Sequence, residues 1–483
     1  MYGLNDIIVC KTIILRRFHI PVNSFENYPM SWKPDKRQLG SPLYLSIASL
    51  LEYDILNGYL APNTKLPPQR ELADYLDINL STITRAFKIC EAKGLIYAVI
   101  GSGTFVSPNA GSAIFLADND ANKNYIEMGV IKPLDCSNIL VAETIKSIAN
   151  KNYLEKLLDY RHPLGCPYHR MAAKKWMQRF SMDVSIENIA ITSGGQNAIT
   201  LLLVSIFNPG DKIAVDTYIY PNFIELANML NIQLIPIETD ELGIIPERLD
   251  LVCSINHIKG IYINPSCSNP TAVIMNMKRR KEIADVIKKH KLILMEDDIY
   301  SFLAPQGYLP ISHFVPEQFI YILSISKALS SGMRVGFMGY ANQFVEKINR
   351  GIYNINIKTS SLNAEIITEL INTGIADKII RQKKEIAEER NELYEQYFEI
   401  TNPHENPLSF FRWLPLCQKY QGKQFEQDAL KHGIRVYHSY RFLTGKDESA
   451  QFIRISLTSV ADSQELDTGL RMLNDFLLQA KES

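Results

Sequence analysis

Apolar positions along the chain follow two regimes, with the change near residue 108. Between 41 and 107 they recur mostly at helical spacing. "PLYLSIASLLEYDILNGYL" puts Leu43, Ile47, Leu50, Leu51 and Ile55 on one stripe, and Gly58 marks its stop. "PPQRELADYLDI" predicts a short helix opening near Pro68, because proline suits a first helical turn. "NLSTITRAFKICEAKG" predicts a further helix, capped by Asn79 and closed by Gly94. "LIYAVIGSGTFV" then reads as two short strands around Gly101-Ser102-Gly103. Helix, short helix, turn, helix and β-hairpin is the order of a winged helix-turn-helix, although other small helical domains share parts of it.

From about 124 onward, short apolar β-rich runs alternate with amphipathic helices. "IAIT" leads into "SGGQNAITLLLVSIF", "KIAVDT" precedes "PNFIELANML", and "KGIYIN" precedes "MKRRKEIADVIKKH". "KLILMEDD" and "FIYILSIS" follow. This alternation predicts βα units and a mostly parallel sheet. Three later strand candidates, "FFRWLPL", "GIRVYHS" and "QFIRISL", suggest a smaller α/β subdomain at the C-terminal end. Residues 108–123 mix Pro, Gly, Asn and Asp without an apolar period and read as a linker. Residues 1–29 fit neither regime, and Met30 is an alternative start. The expected division is therefore an extension at 1–39, a winged helix at 40–107, the linker at 108–123 and an α/β body at 124–480.

Composition narrows the partners. Lys and Arg total 51 against 52 Asp and Glu, so net charge makes no case for nucleic acid or membrane, and only local charge could. The seven cysteines form no C-x-x-C pair, which argues against a zinc site or a disulfide framework and for a reducing cytoplasm. No apolar run approaches the ~18 residues of a membrane span. The early stretch "IIVCKTIILRR" has its charges after its apolar part, the reverse of a signal peptide.

The candidate chemistry lies at predicted strand ends, where ligands bind parallel sheets. Asp297 ends the run Leu292–Met295, Lys327 follows Ile320–Leu323, and Ser193-Gly194-Gly195-Gln196 follows Ile189–Ile191. If these strands are parallel neighbours, all three groups face one crevice. Glycines where a strand feeds a helix expose N–H groups to an anion, and Ser324 and Arg334 flank the lysine. Taken singly, each signal is an ordinary helix start, a surface lysine or a charged loop. Together, a carboxylate, a lysine and a phosphate cradle suggest pyridoxal 5′-phosphate, which needs an amine to attach it, an acid opposite its ring nitrogen and an anchored phosphate.

The same residues carry a resemblance. "LPPQRELA", "STITRAFK" and "GSGTFV" resemble the GntR-type winged helix. "YINPSCSNPTAVIM", "EDDIY", "SISKALSSGMRVGF" and "FIRISL" resemble fold-type I aminotransferases, in the expected order. A head and body of these kinds together resemble the MocR-type transcriptional regulators. The resemblance implies that Lys327 attaches the cofactor and that Asp297 pairs with its pyridine nitrogen. Asn269 and Tyr300 would bind its phenolic oxygen, and Tyr220 would stack on the ring. Gly195, Gln196, Ser324 and Arg334 would hold the phosphate. Tyr160 would reach the phosphate of a neighbouring subunit, which implies a homodimer, and Arg454 would receive an amino acid's α-carboxylate. Core packing is the plainer reading of Tyr220, and a structural salt bridge that of Arg454.

The head departs from its family. Leu80 stands where a basic residue is usual, and residues 40–107 hold five Lys/Arg against six Asp/Glu. Phosphate neutralisation drives non-specific DNA affinity, so this head should bind DNA weakly as a monomer. Arg70, Thr82, Thr84, Arg85 and Lys88 are the candidate DNA contacts, with Lys33, Lys36 and Arg37 upstream. Two functions stay open: a DNA-binding regulator that senses the cofactor, an amino acid or an amine, and a working α-amino acid aminotransferase with a secondary head. A lyase or racemase is a third, since substrate orientation sets the reaction type.

Overall fold

The computed structural model describes residues 30–61, 63–99, 101–107, 124–160, 162–417, 422–445 and 451–482. The expected linker at 108–123 and the unassigned stretch 1–29 lie outside the described residues. The chain divides into two compact units, Met1–Asn122 and Lys123–Ser483, each considered by itself.

In the first unit, α1 (Leu43–Leu56), α2 (Gln69–Leu76) and α3 (Leu80–Ala92) precede the hairpin β1 (Ile96–Val99) and β2 (Gly103–Val106). The buried stripe of α1 is Ile47, Ala48, Leu51 and Ile55. Leu43, expected on that stripe, opens the helix and is 39% exposed, while Ala48 takes a place in the buried face. Asn79 caps α3 by accepting a hydrogen bond from the Ser81 N–H at 2.9 Å. Gly94 follows the helix in the left-handed region at φ +70°, the conformation that a helix-stopping glycine supplies most cheaply. Ile96 pairs opposite Val106 across the hairpin, and both are buried against the helices. Trp32, upstream of residue 40, joins this core and donates from Nε1 to Asp54 at 2.7 Å.

The second unit opens with β3 (Ile126–Glu127). Its main strands are β4 (Ile189–Thr192), β5 (Lys212–Asp216), β6 (Gln233–Ile237), β7 (Ile258–Ile263), β8 (Ile293–Asp297), β9 (Phe319–Ser324) and β10 (Gly336–Tyr340). Among the described residues they form one seven-stranded sheet in the order β4-β10-β9-β8-β7-β5-β6. Helix α4 (Gly195–Ile206) follows β4, and the long α5 (Ile375–Glu395) follows the sheet. The strands read as continuous apolar runs because both faces are covered, and every residue of β9 is buried.

One expectation needs correction. β8 and β9 are parallel neighbours, but β4 is not next to β9. The antiparallel β10 lies between them, paired with both. Too few residues separate β9 from β10 for a crossover helix, so the chain returns antiparallel. The crevice survives this change. Gly336 of β10 lies opposite Ser324 on one side and Thr192 on the other, which puts the carboxyl ends of β4 and β9 at the same edge.

The C-terminal strand candidates are strands. β11 (Phe411–Leu416), β13 (Tyr437–His438) and β14 (Gln451–Ser456) form an antiparallel sheet in the order β11-β14-β13. Between them in the chain, β12 (Ile434–Arg435) pairs in parallel with β3. No helix among the described residues is long and apolar enough to cross a membrane.

Leu51, fully buried between α1 and its neighbours, should report on the first unit alone. Leu51→Ala should cost about 2–5 kcal/mol of that unit's stability. Calorimetry should show its transition lowered; an unshifted transition would remove Leu51 from the core.

Candidate functional site

The carboxyl edge of the sheet gathers the chemistry. "EDD" resolves by strand alternation. Glu296 turns away and accepts the N–H groups of Ile311 and Ser312 at 2.9 and 2.7 Å. Asp298 accepts from the Tyr321 hydroxyl at 2.8 Å. Asp297, between them, accepts from the Tyr262 hydroxyl at 2.8 Å, while its backbone carbonyl accepts from Asn264 Nδ2 at 2.7 Å. Burial pushes the Asp297 carboxyl up to about 6; the Tyr262 bond pulls it back and the Asp298 charge pushes it further up. A cation opposite this carboxylate would hold it ionised at neutral pH.

Lys327 sits on the single helical turn that follows β9, capped by the Ser324 side chain. Its Nζ donates to the Ile131 carbonyl at 2.6 Å. Burial pushes its ammonium down to about 7, and the nearby Arg454, Lys383 and Arg334 charges push the same way. Lys383, fully buried on α5, braces that turn by donating to the carbonyls of Lys327 and Leu329 at 3.1 and 3.0 Å.

The stretch expected to cradle an anion lies at the start of α4. Gly194 adopts φ +90°, and a Cβ there would lie 2.9 Å from Arg334 Nη2. A Cβ on Gly195 would lie 3.0 Å from Cβ of Ser324. The cradle therefore needs glycines, and it brings Gly195, Gln196, Ser324 and Arg334 together. Gln196 Oε1 is buried without a hydrogen-bond partner. N–H groups at the start of α4 and a guanidinium, over glycines that leave no room for a Cβ and beside an amine and a carboxylate, fit a phosphorylated pyridoxal cofactor.

Arg454, on β14, donates from Nη1 to Asn269 Oδ1 at 2.8 Å and from Nη2 to the Gly129 carbonyl at 2.7 Å. Since Asn269 accepts with its oxygen, its amide nitrogen stays available to another group. Burial pushes the Arg454 guanidinium down to about 10, and it remains charged at neutral pH. Tyr300 is buried edge-to-face against Phe410 and Phe411. Tyr220 is half-buried; its hydroxyl is pushed up to about 12, first by burial and then by the Asp297 charge, with Arg454 and Arg334 opposing. Tyr160 is not drawn into this cluster and is 73% exposed.

On the first unit, Arg70, Arg85 and Lys88 are exposed, and Thr82 is partly so. The Arg85 guanidinium lies 3.9 Å over the Tyr44 ring. Thr84 is likewise partly exposed, its hydroxyl donating to Gln69 Oε1 at 2.8 Å. Of the upstream cations, Lys36 pairs with Asp77 and Arg37 with Asp35.

Three site residues escaped the sequence reading. Tyr262 and Asn264 are two apart at the end of "KGIYIN", and that same-face spacing beside the Asp297 strand was the available signal. Lys383 lies in "RQKKEIAEER", where nothing separates it from solvated lysines.

An amine attacks a carbonyl in its neutral form. Attachment of pyridoxal 5′-phosphate to Lys327 should therefore accelerate between about pH 6 and 8 and level off above. Absorbance-monitored uptake by cofactor-free protein checks this. Acceleration only near the ordinary lysine range, about pH 10, would contradict the buried setting.

Comparison with known proteins adds the following. Residues 124–473 match the family described as aminotransferase class I and II, and residues 43–106 match the bacterial regulatory proteins, gntR family. The uncharacterized HTH-type transcriptional regulator YdeF of Bacillus subtilis is 39% identical over 458 residues, covering 95% of this chain and 99% of that protein. YjiR of Escherichia coli, also named an uncharacterized HTH-type transcriptional regulator, is 26% identical over 414 residues, covering 78% and 86%. The body shares its fold with a Pyrococcus horikoshii kynurenine aminotransferase, at TM-score 0.67 and 23% identity, covering 74% of this chain and 92% of that one.

Proposed function

The chain belongs to the aminotransferase class I and II family and carries a gntR-family segment ahead of it, and from that premise we propose a DNA-binding transcriptional regulator whose body binds pyridoxal 5′-phosphate and an amino acid or amine. The observation that carries the reading is one crevice holding Lys327, Asp297, Arg454 and the glycine cradle, in a chain that also presents a winged helix. The relatives' names as transcriptional regulators support the same reading. We place the protein in the cytoplasm, as a homodimer.

Bound there, the cofactor supplies a ring that draws electrons from the carbon beside an amino group. Gly195, Gln196, Ser324 and Arg334 hold its phosphate. Asn269, through its free amide nitrogen, and Tyr300 hold its phenolic oxygen, while Tyr220 lies against the ring. Asp297, oriented by Tyr262 and Asn264, keeps a proton on the pyridine nitrogen. Lys327 Nζ serves first as the point of attachment and then as the base that takes and returns the proton at the ligand's Cα. Arg454 takes the ligand's carboxylate by paired N–H contacts. Tyr160 reaches a second subunit's phosphate. Exposed Leu158 and Tyr160 lie on one stretch, and the Asp159 carbonyl accepts from Lys358 Nζ, beside exposed Tyr353 and Ile357. That apolar surface suits a second copy of the chain.

A second reading, transaminase turnover, is favoured by the filled catalytic positions and by an amine poised near 7. Turnover of amino acids with 2-oxoglutarate, measured beside promoter binding, distinguishes the two.

Borohydride reduction of the yellow holoprotein should fix a pyridoxyl group on Lys327, read by peptide mass spectrometry. The group on another lysine would refute the assignment. Asp297→Asn should retain the cofactor, since the phosphate contacts remain, yet slow the spectral response to an amino acid by at least about tenfold. An unchanged response removes Asp297 from the role.

On the DNA side, few phosphates can be neutralised, so log-affinity should fall only shallowly with log-salt, about −0.9 per phosphate contacted. Arg85→Ala should cost on the order of 1–3 kcal/mol on the protein's own upstream DNA if that side chain reads a base. No preference of the wild type for that DNA over random sequence would transfer the case to the aminotransferase.

A further inference from the structure

Arg454 is buried among aromatic rings, with Phe442 4.6 Å and Tyr437 5.8 Å from its guanidinium carbon. Both of its hydrogen-bond anchors, Asn269 Oδ1 and the Gly129 carbonyl, are neutral. A guanidinium held by neutral acceptors keeps its charge for a ligand, but the direction it points depends on those acceptors.

The Gly129 carbonyl is aimed by a short turn, and one carboxylate shapes that turn. Glu127 Oε1 accepts the N–H of Gly129 at 2.9 Å and that of Val130 at 3.2 Å. Glu127 is itself fixed from three sides. Its backbone lies in β3 beside β12. Its carbonyl accepts from the Ser459 hydroxyl. Its Oε2 faces Arg435 Nη1 at 3.5 Å, and only 9% of the residue is exposed. The turn also sits tightly against the ring beside the arginine. A Cβ on Gly129 would lie 2.9 Å from the Tyr437 ring, and Tyr437 stands opposite Arg454 across β13 and β14. The chain of contacts runs from the Glu127 carboxylate to the Gly129 and Val130 amides, then from the Gly129 carbonyl to Nη2 of Arg454.

We propose that Glu127 is a positioning residue for carboxylate recognition: it closes the turn that aims the Gly129 carbonyl and so sets the direction of Arg454. The inference rests on the reading of Arg454 as the receptor of the ligand's carboxylate. It predicts that loss of Glu127 harms ligands with a carboxylate and spares otherwise identical ligands without one. A role in general stability would harm both alike.

The test uses the full chain freed of cofactor and two probes, N-(5′-phosphopyridoxyl)-L-leucine and N-(5′-phosphopyridoxyl)-3-methylbutylamine, which differ only in the carboxylate. Calorimetric titration gives the ratio of their dissociation constants. Wild type should favour the leucine probe by about tenfold or more, the scale of a charge-assisted paired contact. Glu127→Ala should cut that ratio about fivefold or more while leaving the amine probe within about twofold of wild type. Glu127→Gln keeps an oxygen for both amides and should stay near the wild-type ratio. Glu127→Asp keeps the charge but withdraws it from the turn; it should fall with Glu127→Ala, and it carries the test by itself if the alanine variant does not fold. An unchanged ratio in the shortened variants, or equal weakening of both probes, overturns the role of Glu127 and leaves Arg454 standing. If wild type does not distinguish the probes, the reading of Arg454 fails and the inference falls with it.

Discussion

Positive charge buried without a hydrogen-bonded carboxylate is the constraint around which the crevice is built, the Asp135 charge only partly drawing Lys327 and Lys383 back. Lys327, Lys383 and Arg454 are all withdrawn from water in one region, and each is held by carbonyl or amide oxygens. Carbonyls satisfy the N–H groups but cancel little charge, and a buried unpaired charge is costly. The lysines respond by losing affinity for their protons, Lys327 down to about 7 and Lys383 down to about 8. Arg454 cannot follow them so far and stays cationic. The crevice is thereby set to receive anions. A phosphate over the glycine cradle and a carboxylate at Arg454 would complete an electrostatic balance that the chain leaves open.

The acids of the same region divide their work by strand geometry. Glu296 and Asp298 point away from Asp297 and are absorbed by backbone amides and a tyrosine hydroxyl. They hold the loop and neighbouring strand at the end of β8, and the Asp298 charge adds to burial in raising the Asp297 carboxyl to about 6. Tyr262 and Asn264 oppose that drift. A ring nitrogen placed opposite Asp297 would meet a carboxylate whose proton affinity is set by competing neighbours, close enough to neutrality for the partner itself to fix its ionisation.

Much of this was legible in the sequence because the apolar runs are short and end on the groups that matter. Asp297 ends a strand whose three preceding residues are buried, Lys327 follows a strand buried throughout, and the glycine pair sits where a strand feeds a helix. β10 was not legible: it begins in a Ser/Gly-rich stretch, and its direction is fixed by the short connection from β9 rather than by its own pattern. Lys383 was hidden for the opposite reason. Its stretch is rich in charge, and only the packing of α5 against the Lys327 turn distinguishes it from exposed neighbours. Gly129 carried no signal, since its need for a bare Cα arises from Tyr437, some three hundred residues away in the chain.

The two units handle charge in contrasting ways. The body concentrates cations where they cannot be screened. The first unit spends its own at the surface, pairing Lys36 with Asp77 and Lys93 with Glu52, and leaves Leu80 exposed at the first turn of α3. Surface pairs of this kind contribute little to stability, but they remove charge that DNA phosphates would otherwise meet. Arg85, exposed like Arg70 and Lys88, lies over Tyr44 and is pre-oriented by that ring contact. A head so poor in free charge gains little from phosphate contacts alone. Its affinity would have to come from shape, from a few base-edge contacts and, in the proposed dimer, from two linked heads, where the second binding event becomes intramolecular. If the proposed dimer forms through the apolar surface around Leu158 and Tyr160, that surface would matter as much to DNA binding as any residue of α3.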